Sequence, residues 1–157
     1  MQSKTNAIRL LESQNISFEW QSYAVDENDL SAVHVAESLG ILPERIFKTL
    51  VVTNESNEFF VAVIPGNYQL DVKKMAQLTQ SKSCAMLPSK DLLKVTGYQR
   101  GGCSPIGMKK SFPTFIEESA QLFPSIYVSG GQRGVQILLS PEDLKQLTQA
   151  EFADLLK

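Results

Sequence analysis

Two stretches of this chain carry residue types that could do chemistry together. The first is "FKTL", with Lys48 and Thr49 at the start of an apolar run. An ammonium resists burial, so a lysine among Phe47, Leu50, Val51 and Val52 is unusual. Strand alternation puts Lys48 on the face of Leu50 and Val52. If that face is inward, Lys48 lines a cavity and needs an anionic or carbonyl partner; if outward, it is a plain surface lysine. The second stretch is "RGGCSPIG", where Gly101 and Gly102 let a ligand approach the backbone and let N–H groups converge on an oxygen. A tight turn accounts for one or two of these glycines, less readily for all of them.

Further candidates surround these two. "YVSGGQRG" ends a β-like run in Ser129, Gly130 and Gly131, a pattern that also makes a plain hairpin turn. Tyr23 follows another β-like run and can wall a pocket or simply pack. Other chemistries lack their residues. There is no CxxC, one histidine (His34), no GxSxG elbow, no P-loop and no GxGxxG. We therefore expect no metal and no cofactor. Cys84 and Cys103 stand in unrelated contexts. The pairs Glu117–Glu118 and Glu142–Asp143 read as solvated charges.

The elements that must hold these residues can be read from periodicity. "KTNAIRLLESQN" spaces Ala7, Ile8, Leu10 and Leu11 on a helix face. "ISFEWQSY" alternates Ile16, Phe18 and Trp20 as a strand. Ser31 caps a helix through Leu39 that Gly40 closes. "IFKTLVVTN" and "FFVAVI" form a hairpin across "ESNE", ended by Pro65. Asp71 caps "VKKMAQLTQ". "KSCAML" reads as a strand, and "SKDLLKV" as a short helix capped by Ser89. "PTFIEES", "SIYVSGG" and "GVQILLS" read as strands, with "SAQLF" as a short helix or turn. Ser140 and Pro141 start the helix "SPEDLKQL". A Thr148/Glu151 capping box predicts a last helix. The result is a mixed α/β (α+β) domain of about seven strands, and the hairpin argues against a purely parallel sheet.

With 157 residues, 43% hydrophobic and 20% charged, the chain suits one domain with an ordinary core. No signal peptide or membrane-spanning run is apparent, so a cytoplasmic protein with reduced thiols is expected. Net charge is −2, yet residues 72–116 hold eight basic residues and one acid. A basic face toward a phosphate backbone and a scatter of solvated lysines both fit this block.

Together these motifs resemble the YbaK/EbsC family of aminoacyl-tRNA deacylases, related to the editing domain of bacterial prolyl-tRNA synthetases. The resemblance runs through "RIFKTLVV", "QLDVKKMA", "TGYQRGGCSPIGMKK", "PTFIEESAQLFPSIYVSGGQRG" and "FADLL". It implies a mixed, partly barrel-like sheet with helices around it, and clearance of misacylated tRNA, most typically Cys-tRNA(Pro). On this sequence it implies that Lys48 is the main functional side chain, beside Thr49. Gly101 and Gly102 would supply backbone groups at the substrate carbonyl, and Tyr23 and Ser129–Gly130 would shape the pocket. In the cysteine-specific branch it implies that the substrate's own thiol attacks its ester, which leaves Cys103 without a nucleophile's role. It also implies the tRNA acceptor end as partner, with Lys73, Lys74, Arg100, Lys109, Lys110 and Arg133 as contacts, and recruitment by prolyl-tRNA synthetase. Two positions bordering the pocket depart from the family pattern. Leu30 or Ser31 stands where an aromatic is usual, and Gln136 where aspartate is usual. A pocket discriminates one methylene by only about 1–3 kcal/mol, so the amino acid removed stays open among Cys, Ala and Ser.

Overall fold

The computed structural model describes residues 4–157. Among them are five α-helices and eight strands in two sheets. Sheet one has the order β1 (Glu19–Ser22), β7 (Val135–Leu139), β6 (Ile126–Ser129). Sheet two has the order β4 (Cys84–Met86), β2 (Phe47–Asn54), β3 (Phe59–Pro65), β5 (Thr114–Glu117), β8 (Glu151–Ala153). β2, β3 and β4 pair antiparallel, while β3–β5 and β5–β8 are parallel. Neither sheet closes on itself. They meet at one bridge, Ile46 to Tyr127, where the start of β2 touches β6.

β3 shows why the second sheet is central. Its sequence FFVAVIP is apolar throughout, and from Phe60 on it is buried. A strand reads this way when both faces are covered. Val61 and Val63 face the main core, with Phe47, Val51, Ile137, Leu144 and the α1 (Asn6–Ser13) residues Ile8 and Leu11. Phe60, Ala62 and Ile64 face a second cluster with Val52, Leu70, Leu155 and Met75 of α3 (Val72–Leu78). Fully burying a side chain such as Ile137 contributes roughly 1.5–3 kcal/mol. α2 (Ala32–Leu39) packs Val35 and Ala36 on Ile46 and Tyr127 in a third cluster, which Tyr23 joins.

The caps expected at Ser31, Asp71 and Ser140 form, each accepting from a backbone N–H two or three residues on. Thr5 caps α1 and also donates to the Gly130 carbonyl, tying that helix to the β6–β7 turn. α4 (Leu92–Thr96) follows a 3₁₀ turn and is not capped by Ser89. Trp20 is 43% exposed rather than part of an inward face, because all of β1 lies at the surface. The last helix predicted from Thr148/Glu151 does not form. α5 (Pro141–Thr148) ends at Gln149 in the left-handed region, and Glu151–Ala153 pair with β5 instead. Pairing with β5 along one edge and the packing of the half-buried Phe152 against the core outweigh a local capping signal there. No helix among the described residues is long and apolar enough to cross a membrane.

Candidate functional site

β2 has a shared edge. Along one side it pairs with β3 over its whole length. On the other side β6 touches its start at Ile46, and β4 pairs only from Val52 onward. Between them lies an unpaired stretch, Lys48 to Leu50. Its backbone orientation follows from the neighbours. The Leu87 N–H donates to the Val51 carbonyl at 2.9 Å, and the Val61 N–H turns away from β2 to Pro113. Val51 and Val61 are therefore the pair without mutual hydrogen bonds. By alternation so are Thr49 and Val63, which aims the Thr49 N–H and C=O at the open edge.

A cavity of about 400 Å³ opens at this edge. β2 lines it with Lys48 and Thr49, and the β6–β7 hairpin with Ser129 and Gln136. The start of α2 gives Leu30 and Ser31, and the glycine-rich loop gives Arg100, Gly101 and Cys103. Ser129 and Gln136 are direct cross-strand partners at the mouth of that hairpin. "YVSGGQRG" thus forms a hairpin turn, and Ser129 at its mouth lines the cavity.

The inward alternative for Lys48 is the one realised. It is half-buried, and Nζ donates to the Gly66 carbonyl at 3.2 Å. Burial pushes its pKa down from the ordinary lysine value. An ammonium has three donors, and this one carbonyl leaves two for a ligand. Gly66 went unnoticed in the sequence, although "PGN" after β3 signals a turn. A Cβ there would lie 2.6 Å from the Ala32 Cβ, so only glycine brings this carbonyl in beside α2. Two cavity-lining residues also hold buried polar atoms without a partner: Thr49 Oγ1 and Gln136 Oε1. Gln136 is 6% exposed. Buried polar groups are almost always paired in a finished fold; Arg45 Nε, Thr53 Oγ1 and Ser119 Oγ are unpaired too, and what sets Thr49 and Gln136 apart is that both line this cavity.

The glycine-rich loop divides its labour. Gly101 lines the cavity at φ +83°, with Leu30 atoms 3.3 Å from where a Cβ would stand. Gly102 does not line it, and its N–H is committed to the Gln99 carbonyl at 2.9 Å. A Cβ on Gly102 would be 2.8 Å from the Arg133 nitrogen, so this glycine lets the loop press against the β6–β7 turn. Gly130 is likewise occupied, donating to Val135 and accepting from Thr5. Tyr23 lies in the α2 cluster, away from the lining.

Cys103 faces the cavity but is 8% exposed, and burial pushes its thiol up to about 11. A thiol held there is a poor nucleophile near neutral pH. His34 sits beside Asp26 and Asp29 at 3.9 and 3.8 Å, outside the lining. Glu117 is not solvated: it is 3% exposed and accepts from the Ser119 and Leu155 N–H groups. Glu117, Glu118 and Asp154 group their carboxylates, with two of the three residues exposed.

The basic residues sort by their partners. Lys74 is spent on Asp154 at 2.8 Å and the Leu156 carbonyl at 2.6 Å, fastening the chain's end to α3. Arg133 donates to the Arg100 carbonyl and pairs with Glu27. Lys73, Lys109 and Lys110 are exposed and outside the cavity; Arg100 is exposed at its rim.

Residues 26–147 match the family model described as an aminoacyl-tRNA editing domain. The chain is 51% identical over 154 residues to EbsC of Enterococcus faecalis, a protein inferred to be a Cys-tRNA(Pro)/Cys-tRNA(Cys) deacylase. That alignment covers 98% of this chain and 94% of the relative. It is also 33% identical over 82 residues to the proline–tRNA ligase of Fervidobacterium nodosum, spanning 52% of this chain and 14% of the ligase. Among solved structures, one described as an inferred trans-editing enzyme for prolyl-tRNA synthetase superposes with a TM-score of 0.84 at 22% identity. It covers 97% of this chain and 95% of that one, a likeness of fold. This chain belongs to the aminoacyl-tRNA editing domain family.

Proposed function

We propose that this protein is a free-standing deacylase that cleaves the ester of misacylated tRNA, with Cys-tRNA(Pro) as its preferred substrate. The observation that carries this reading is the unpaired edge of β2. It offers the Thr49 backbone, a half-buried Lys48 with two free donors, and a glycine at the opposite wall. An aminoacyl ester bound there meets donors for its carbonyl oxygen from fixed backbone rather than from mobile side chains. Preorganised donors of this kind stabilise the developing oxyanion. Lys48 holds the ribose or phosphate oxygens of the terminal adenosine. This keeps the ester carbonyl at the edge.

The buried Cys103 thiol supplies no protein nucleophile, and a cysteine substrate brings its own. Its sulfur attacks the ester carbonyl carbon; a C–S bond forms, the C–O bond to the ribose breaks, and the thiol proton passes to the departing ribose oxygen. Intramolecular attack in the right geometry has effective molarities of roughly 10⁵–10⁸ M, so the protein's task is to fold the substrate rather than to activate a group of its own.

Gln136 bears on the amino acid. Its unpartnered Oε1 lies at the cavity wall, where it can accept from S–H or O–H. An alanyl side chain would leave it unpaired, at a cost of about 1–3 kcal/mol. Cysteine and serine therefore rank above alanine. Recruitment by prolyl-tRNA synthetase supplies the choice of tRNA.

The test is single-turnover deacylation of Cys-, Ser- and Ala-tRNA(Pro). Wild type is expected to clear Cys fastest. Lys48→Ala should lose on the order of 10²-fold or more, and Cys103→Ala should retain most activity. Clearance of Ala ahead of Cys and Ser would overturn the Gln136 argument. No clearance of any substrate, with tRNA bound, would make the chain a binding module instead.

A further inference from the structure

We infer that the groove on the far side of α4 is a binding site for the phosphodiester backbone of the tRNA acceptor strand, feeding its 3′ end into the cavity. This rests on the deacylase reading above. The groove encloses about 650 Å³ and carries Lys94, Lys109 and Lys110 along its wall. All three are exposed, and none takes part in an ion pair among the described residues. Asp91 is its one acid. Most basic residues among those described form no ion pair; what sets these three apart is that they stand together along one groove.

The fold brings them together on purpose-built geometry. α4 ends at Gly97 in the left-handed region, and the Lys109 N–H donates to the Thr96 carbonyl at 3.0 Å. The Lys109 side chain lies 3.7 Å from where a Cβ on Gly97 would stand. Helix and loop thus converge their charges on one side. The lining also includes Phe59 and Phe112, half-buried against the main core, whose rings meet edge to face at 5.6 Å. Basic groups beside aromatic rings are what single-stranded nucleic acid uses, through phosphate contact and base stacking. A protein partner would need an acidic face of matching size, whereas a nucleic-acid strand presents a phosphate every few ångströms by its chemistry.

Position completes the argument. Leu87 lines both the groove and the cavity. α4 turns Leu92 toward the cavity, and Lys94 and Val95 toward the groove. A strand lying in the groove therefore reaches Lys48 by crossing one short segment. The placement also separates Lys109 and Lys110 from Lys74 and Arg133, whose charges are already paired.

The test measures binding first, so that it stands apart from catalysis. The probe is a fluorescent acceptor-stem RNA hairpin ending in CCA, with no amino acid esterified to it, titrated against protein over a range of salt. The groove triple variant is Lys94→Ala, Lys109→Ala, Lys110→Ala. The control triple variant, Arg9→Ala, Lys82→Ala, Lys157→Ala, removes the same charge at exposed positions elsewhere. The groove variant should lose at least about 10-fold in affinity, with the salt slope smaller by about 2, since each phosphate contact contributes roughly 0.7–0.9 to it. The control should lose less than about 3-fold. Equal losses in both, no loss in the groove variant, or no wild-type affinity at low salt each overturn the proposal. Thermal melting of both variants establishes that they fold. On a minimal substrate, cysteinyl-adenosine, the groove variant should turn over like wild type. A wild type that binds the hairpin through the groove yet deacylates nothing would sink the deacylase reading and leave the groove standing.

Discussion

Two polar sites near the ends of β2, Asn54 and the Lys48–Thr49 pair, are treated in opposite ways; Thr53 Oγ1, beside Asn54, is also unpartnered, but Thr53 lines the groove beside α4 and not this cavity. At the far end Asn54 is 8% exposed and fully engaged. Its amide nitrogen donates to Glu58 Oε1 and Ser81 Oγ, and its oxygen accepts from the Ser56 and Glu58 N–H groups. At the near end Lys48 has one carbonyl, and Thr49 Oγ1 has nothing. Both ends belong to one strand, and both pair with β3. The difference is that the Asn54 end is closed by a hairpin and by β4, while the Lys48 end lies where β4 has stopped and β6 has diverged. A polar residue saturated by its own fold is structural. One left unsaturated at a cavity is available to a ligand.

The largest expected effect that could break this comparison is on stability. Asn54→Leu should lower the urea midpoint by the equivalent of about 1–3 kcal/mol, since it removes four hydrogen bonds from a part-buried turn. Deacylation per folded molecule should be unchanged. An unmoved midpoint would remove the structural half of the contrast. The complementary change is Thr49→Val, nearly equal in volume. It should leave stability level or raise it by up to about 1 kcal/mol, because an unpaired hydroxyl is removed. Deacylation should fall about 10-fold, or 1.4 kcal/mol of barrier. A stability loss with activity intact would reverse the assignment.

The smallest effect sharpens the contrast between two lysines. Lys48 has a folded-state pKa lowered by burial, so the unfolded chain holds that proton more tightly. Its contribution to stability therefore rises as pH climbs from the folded value toward 10.5. Lys74 is the reverse. The Asp154 carboxylate raises its pKa, so its stabilisation is full below 10.5 and fades as pH passes above. In alkaline melts Lys48→Met should remove an upward trend, and Lys74→Met a downward one. Shifts of the same sign would show that the two ammonium groups do not differ as their surroundings imply.

Much of the fold was legible because it is local. The caps at Ser31, Asp71 and Ser140 are made within three residues of each cap. Periodicity identified β2, β3, β6 and β7 from chains of neighbours only. The C-terminal strand escaped, since "TQAEFADLLK" holds a helix signal and its true partner β5 lies more than thirty residues earlier. Of the site, Lys48, Thr49, Gly101, Ser31, Ser129 and Gln136 were legible by type and by resemblance, and they line one cavity. Gly102, Gly130 and Tyr23 looked the same in sequence but are not among its lining, because the partners that place a glycine or a tyrosine in the fold are not written beside it.

The sequence by itself determined which segments could be strands or helices, where they begin, and that one lysine stood in an apolar strand. These follow from side-chain period and from hydrogen bonds that close within a turn. Only the tertiary structure decided which edge of β2 stays open, which lysines are free and which are spent. Lys74 meets Asp154 across 80 positions, and Arg133 reaches Arg100 across 33. Pairing of charges and exposure of a sheet edge depend on partners brought close by the whole fold, and no local pattern encodes those distances.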